Sequence, residues 1–216
     1  MKNKDFPYSY IAIEGNIGAG KTTLCQMMAE QYACKLILEQ FTDNPFLPFF
    51  YQNPERYAFP VELFFMTERH KQLQQNLPQQ SLFETLTVSD YFFVKTLLFA
   101  QNNLSNEEFR LFQRLFNILN ATFTHPDLLV YLHRSVDDLL FNIKQRGRAF
   151  EQQISKSYLE QIQGVYFSYL KSITDIPVLI LYMDGIRFWE NPDQFQTIVQ
   201  ALQQPYLPRI YHLNLF

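Results

Sequence analysis

Eight consecutive residues carry the most legible chemistry in this chain. Gly15, Asn16, Ile17, Gly18, Ala19, Gly20, Lys21 and Thr22 fit the pattern G-x-x-x-x-G-K-[ST], a loop that wraps phosphate oxygens. Its glycines let the backbone approach an anion without Cβ clashes. The first amides of the following helix, with Thr23 in its first turn, point at the same oxygens, and the helix dipole favours their negative charge. Lys21 is suited to reach the β- and γ-phosphates, and the Thr22 hydroxyl to hold Mg²⁺. Such a loop needs a strand before it and a helix after it. Residues 10–13 read as a short apolar strand, and residues 23–32 as a helix with Leu24, Met27 and Met28 on one side.

Four carboxylates and three arginines could complete the chemistry. Glu39 follows a predicted strand over 35–38, so it belongs beside the loop. A carboxylate there can accept the proton of a hydroxyl that attacks the γ-phosphate. Glu84 follows a second predicted strand over 81–83 and could share Mg²⁺ with Thr22. Asp90 opens a predicted helix, either as a simple N-terminal charge or as a partner of Arg69. Arg146 and Arg148 flank Gly147, with Glu151 just beyond. Two guanidiniums around a glycine form a phosphate clamp and a lid; the same spacing also suits a cation-rich helix C-terminus.

The elements that must position these groups follow from periodicity. Five strands are predicted over 10–13, 35–38, 81–83, 127–132 and 178–182, separated by helices. Pro54 and Pro60 bracket the entry to a helix over 61–77 that Pro78 ends; others span 89–99, 105–123, 136–145, 157–173 and 191–203. The alternation predicts an α/β domain over residues 1–216, a five-stranded parallel sheet with helices on both faces, and a lid near 146–155. The helix opened by the capping box Ser105-x-x-Glu108 carries two apolar stripes, one through Phe112 and Phe116 and one through Leu111, Leu115 and Ile118. That predicts burial on two sides, the second side being core or a subunit contact. The tail over 205–216 has two prolines and no clear period.

Bulk properties narrow the partners. The chain has 216 residues and a formal net charge of −3, which lacks the basic footprint of a nucleic-acid binder. Cys25 and Cys34 are the only cysteines; without C-x-x-C or clustered histidines they suggest neither a zinc site nor a disulfide framework. No apolar run approaches a spanning helix and no signal segment precedes the first strand, so a cytoplasmic protein with no membrane partner is expected. The 22 phenylalanines and 13 tyrosines point to an aromatic core with an aromatic ligand pocket or interface.

Together these residues resemble the deoxynucleoside kinase family, from about Tyr10 to the last predicted strand. The most specific segment is Tyr51-Gln52-Asn53-Pro54-Glu55-Arg56-Tyr57-Ala58-Phe59, which is similar to the family's Y-x-x-P-E-R-[WY]-x-F stretch. Arg-Gly-Arg-x-x-Glu at 146–151 and the phosphate loop match as well. The resemblance implies ATP and Mg²⁺ as cofactors, a small-molecule nucleoside acceptor and a homodimer. It implies Glu39 as general base on the sugar 5′-hydroxyl, and Tyr51 and Glu151 on the 3′-hydroxyl. It further implies Arg69 paired with Asp90 near the base, Glu84 assisting Mg²⁺, Arg146 and Arg148 on the phosphates, and Phe188 near adenine. Glu62 stands where the family usually places a glutamine that reads the base edge. Thr85 and Asn142 stand where the family places arginines. A catalytically weakened nucleotide-binding relative is one alternative. A thymidylate-type nucleoside monophosphate kinase, whose opening Ile13-Glu14-Gly15 also resembles this one, is the other.

Overall fold

The computed structural model describes residues 6–40, 44–77 and 86–216. The phosphate loop lies between β1 (Tyr10–Gly15), whose six residues are all buried, and α1 (Lys21–Gln31). Next come β2 (Cys34–Ile37), a single helical turn α2 (Leu47–Phe50), the long α3 (Pro54–Asn76) and β3 (Leu86–Ser89). The chain continues through α4 (Lys95–Asn103), α5 (Asn106–Asn120), β4 (Leu128–His133) and α6 (Val136–Arg146). A short 3-10 helix (Ala149–Gln153) leads to α7 (Lys156–Leu170), β5 (Val178–Tyr182), α8 (Pro192–Leu202) and β6 (Ile210–Leu213).

The strands form one sheet in the order β2-β3-β1-β4-β5-β6, and every pairing is parallel. The sheet therefore has six strands, not the expected five. The extra one is β6, whose Ile210 pairs with Val178 at the sheet edge. Its four residues are partly or fully exposed, so it lacks the apolar run that marks the central strands. Strand order reverses at β1, and the crevice beyond the carboxyl ends of β1 and β3 is where such sheets bind ligands.

Two boundaries depart from expectation near that crevice, and a third expectation falls outside the described residues. The strand expected over 81–83, with Glu84, lies outside the described residues; the observed strand begins at Leu86. The helix expected from Ser89 begins instead at Lys95, because Asp90 ends β3 and residues 91–94 turn inward. Tyr91, Phe92, Phe93 and Val94 are all buried there, and the Phe92 N–H donates to the buried carboxylate of Glu14 at 2.8 Å. α3 starts at Pro54, capped by the Asn53 side chain, and passes through Pro60. Pro60 removes one backbone bond, but Ala58, Glu62, Met66, Arg69 and Leu73 on one helical face stay buried.

The capping box of α5 forms as read, and Phe112 and Phe116 pack into the core. The second stripe is not buried within one chain: Leu111 is 53% and Ile118 70% exposed. Cys25 and Cys34 are free thiols. No helix among the described residues is long and apolar enough to cross a membrane.

Candidate active site

The phosphate loop is shaped by backbone that only glycine adopts readily. Gly18 has φ +83 and Gly20 φ +95, both left-handed. A Cβ on Gly18 would lie 2.8 Å from the Leu139 carbonyl oxygen. Asn16 is buried and its amide donates to the Leu159 carbonyl at 2.8 Å, tying the loop to α7. Ala19 is buried, and Ile17 lines the cavity described below. The Lys21 ammonium donates to the carbonyls of Gly15 and Asn16, each at 2.9 Å. Burial and the nearby Lys95 lower its pKa to about 8. A cation held under a curl of backbone amides at a helix N-terminus suits a triphosphate.

Thr22 donates through its hydroxyl to Asp90 Oδ2 at 2.5 Å. Asp90 sits at the end of β3, and its other oxygen accepts the backbone N–H of Glu39 at 2.7 Å. A hydroxyl and a carboxylate adjacent at the foot of the phosphate loop are hard oxygen ligands that fit Mg²⁺. Glu84, expected to assist Mg²⁺, lies outside the described residues. The expected pairing of Arg69 with Asp90 is not formed. Arg69 instead donates to Glu39 Oε1 from Nε at 2.8 Å and from its terminal nitrogen at 2.5 Å, and to Thr96 at 3.0 Å. Asp90 faces the phosphate loop, whereas Arg69 projects from α3 towards Glu39, two residues beyond the end of β2.

Glu39 is the electrostatic centre of the site. Lys95 donates to its second oxygen at 2.5 Å. Burial alone would raise the Glu39 carboxyl, but Arg69 and Lys95 together hold it far below the usual carboxylate range. It is therefore ionised at neutral pH. Lys95 was missed because it heads the apolar stretch Lys95–Ala100, which reads as core. Its only signal was a charged residue inside that stretch.

Glu39, Lys95, Arg69, Lys21, Thr22 and Asp90 line one cavity, whose far end is closed by α2, α3 and the lid. Glu62 and Tyr51 line it there, with Phe65, Phe99 and Tyr158 as aromatic walls. The Tyr51 ring stands edge-on to Tyr158 at 6.0 Å. In the lid, Arg146 donates to Glu151 Oε2 at 3.0 and 2.5 Å. Arg148 donates to Glu151 Oε1 at 3.2 Å. The helix-end reading holds, since Arg146 closes α6 and Gly147 caps it in the left-handed conformation.

A second cleft opens on the other side of the loop. Thr23, Phe141, Asn142, Arg187 and Trp189 line it. Asn142 donates its amide to the Gly18 carbonyl at 2.9 Å, and Phe188 is fully buried behind Gly20. Arg134, unmarked by any motif, is 1% exposed. It donates to the carbonyls of Ala19, Met183 and Ile186 and to Asp138.

Comparison with known proteins decides the family. The family model described as deoxynucleoside kinase matches residues 11–206. The chain belongs to the deoxynucleoside kinase family. A deoxyguanosine kinase of Bacillus subtilis is 35% identical over 90% of this chain and 96% of its own length. A deoxyadenosine/deoxycytidine kinase of the same organism is 30% identical, covering 94% and 95%. The structure of a deoxyadenosine kinase from M. mycoides with bound dATP superposes with a TM-score of 0.77 at 23% identity, over 91% of this chain and 100% of that one. The fold is thus shared with that deoxyadenosine kinase structure.

Proposed function

We propose that the protein transfers the γ-phosphoryl group of ATP to the 5′-hydroxyl of a deoxynucleoside. The arrangement around Glu39 carries this reading: an ionised, buried carboxylate shares one cavity with the Lys21 ammonium and the Thr22–Asp90 pair. The names of the similar kinases support a deoxynucleoside acceptor. ATP binds on the loop, with its base towards the Trp189 cleft. Thr22 and Asp90 would hold Mg²⁺, which when bound would spread the charge of the transferring group.

Glu39 orients the 5′-hydroxyl and accepts its proton as the new O–P bond forms and the bond from the γ-phosphorus to the β,γ-bridging oxygen breaks, releasing ADP. A depressed pKa makes it a weak base, but phosphoryl transfer has a loose transition state that needs positioning more than proton abstraction. Lys95 and Arg69 fix the carboxylate and place positive charge where the attacking oxygen meets the phosphate. Tyr51 and Glu151 hold the sugar 3′-hydroxyl. Arg146 and Arg148 then leave Glu151 for the phosphates as the lid closes. A monophosphate acceptor would need further cations for its own phosphate. Apart from Lys21, the cations lining the cavity are already engaged by Glu39 or Glu151.

The test is Glu39→Gln with Mg·ATP and the four deoxynucleosides. Turnover should fall at least ~100-fold, the scale of lost general-base catalysis, while ATP binding by calorimetry is kept. Full activity in the variant would remove Glu39 from the mechanism. A homodimer formed through the exposed stripe of α5 accompanies this reading.

A further inference from the structure

One wall of the acceptor cavity is chemically unfinished. Glu62 projects from α3 and is 2% exposed. Its Oε1 accepts from the Asn103 amide at 2.6 Å, which fixes the plane of the carboxylate. Its Oε2 is buried and has no hydrogen-bond partner among the described residues. A buried carboxylate oxygen without a donor is costly, so a ligand that supplies one is favoured there. The surrounding walls are Val61, Phe65 and Phe99, flat apolar surface that suits a planar ring.

Resting on the kinase reading above, we propose that Glu62, held by Asn103, reads the base edge of the acceptor and selects deoxyguanosine. Burial raises the Glu62 carboxyl to about 7 against the pull of Arg69; two ligand donors favour its ionised form, which only accepts hydrogen bonds. Guanine presents two adjacent donors on one edge, N1–H and the 2-amino group, which match the two carboxylate oxygens. Adenine and cytosine each set one amino donor beside a bare ring nitrogen, and that lone pair would face Glu62. Thymine sets a single N–H between two carbonyls, both of which a carboxylate repels. Guanine O6 needs a donor in turn. Arg69, whose charge acts on Glu62, carries five N–H groups, of which Glu39 and Thr96 engage three.

The test compares deoxyguanosine, deoxyinosine and deoxyadenosine as acceptors for the full chain and for Glu62→Gln. Deoxyinosine keeps N1–H and lacks the 2-amino group. The unaltered enzyme should favour deoxyguanosine over deoxyinosine by at least ~10-fold in kcat/KM, the effect of losing one hydrogen bond to a charged group. Deoxyadenosine should rank below both. In Glu62→Gln, whose amide both donates and accepts, the deoxyguanosine-to-deoxyadenosine ratio should fall by ~10-fold or more. Preference for deoxyadenosine by the unaltered enzyme, or an unchanged ratio in the variant, would overturn the proposal. The inosine comparison needs no substitution, so poor folding of the variant leaves it intact. Calorimetric binding of deoxyguanosine and deoxyinosine separates the two readings. Equal affinities defeat the selection of guanine, whereas a clear preference without any turnover defeats only the kinase reading.

Discussion

Glu39 and Lys95 form a unit, and the two residues differ in how readily the sequence discloses them. Glu39 follows a predicted strand in a sheet whose ligands gather at strand ends, so position alone identified it. Lys95 was hidden and Asp90 was paired with the wrong partner because the meaning of both depends on where β3 stops, and a helix was expected from Ser89, where the structure keeps strand and starts the helix at Lys95. The unit makes a signed prediction. Removing the Lys95 charge relieves part of the pull that keeps Glu39 ionised, so the Glu39 carboxyl rises. In Lys95→Met the acid limb of the kcat/KM profile should therefore move to higher pH. Turnover should fall by ~10²–10³-fold, as when one preorganised donor is lost, and Lys95→Arg should restore part of it. A pH profile that stays in place would separate Lys95 from Glu39.

At the scale of elements, the strand–loop–helix around the phosphate motif was the most legible part, because its residue types are dictated by backbone geometry rather than by packing. Gly18 illustrates this. Its φ of +83 disfavours any side chain, and a Cβ would also meet Ile143 Cγ1 at 3.0 Å. Gly18→Ala should lower stability by about 1–3 kcal/mol in denaturant unfolding, the usual cost of such backbone strain. It should also weaken ATP binding measured by calorimetry. Unchanged ATP affinity would show that the loop is not the donor site. Helix α3 was harder to read. Pro60 reads as a boundary, yet Asn53 and Pro54 already open the helix. The inward face of Glu62, Met66, Arg69 and Leu73 then carries it through. Burial of that face outweighs one missing backbone bond.

For the whole molecule, the alternation of strands and helices was enough to predict a parallel sheet, but not its last strand. β6 is held by pairing with β5 more than by burial, and edge pairing leaves little trace in composition. The apolar stripe on α5 shows the converse limit. Periodicity announced a second buried face, and within one chain that face is open at Leu111 and Ile118. A second copy covering it would account for both facts. Sedimentation of the unaltered chain should then report a dimer, and Leu111→Lys with Ile118→Lys a folded monomer. A monomeric unaltered chain at micromolar concentration would leave the stripe without that explanation.

Arg134 has a mechanical meaning that its chemistry does not suggest. It makes no contact a substrate would see, yet one guanidinium braces the rim of the phosphate loop at Ala19, the exit of β5 at Met183 and the following turn at Ile186. These three segments frame the donor side. A brace of this kind behaves as a keystone: none of the spans can shift without unseating the others. If ATP takes that side, as proposed, its frame is cross-braced by one buried side chain. The compliance needed for a full catalytic cycle falls to the opposite jaw, where Glu151 and its two arginines can trade partners.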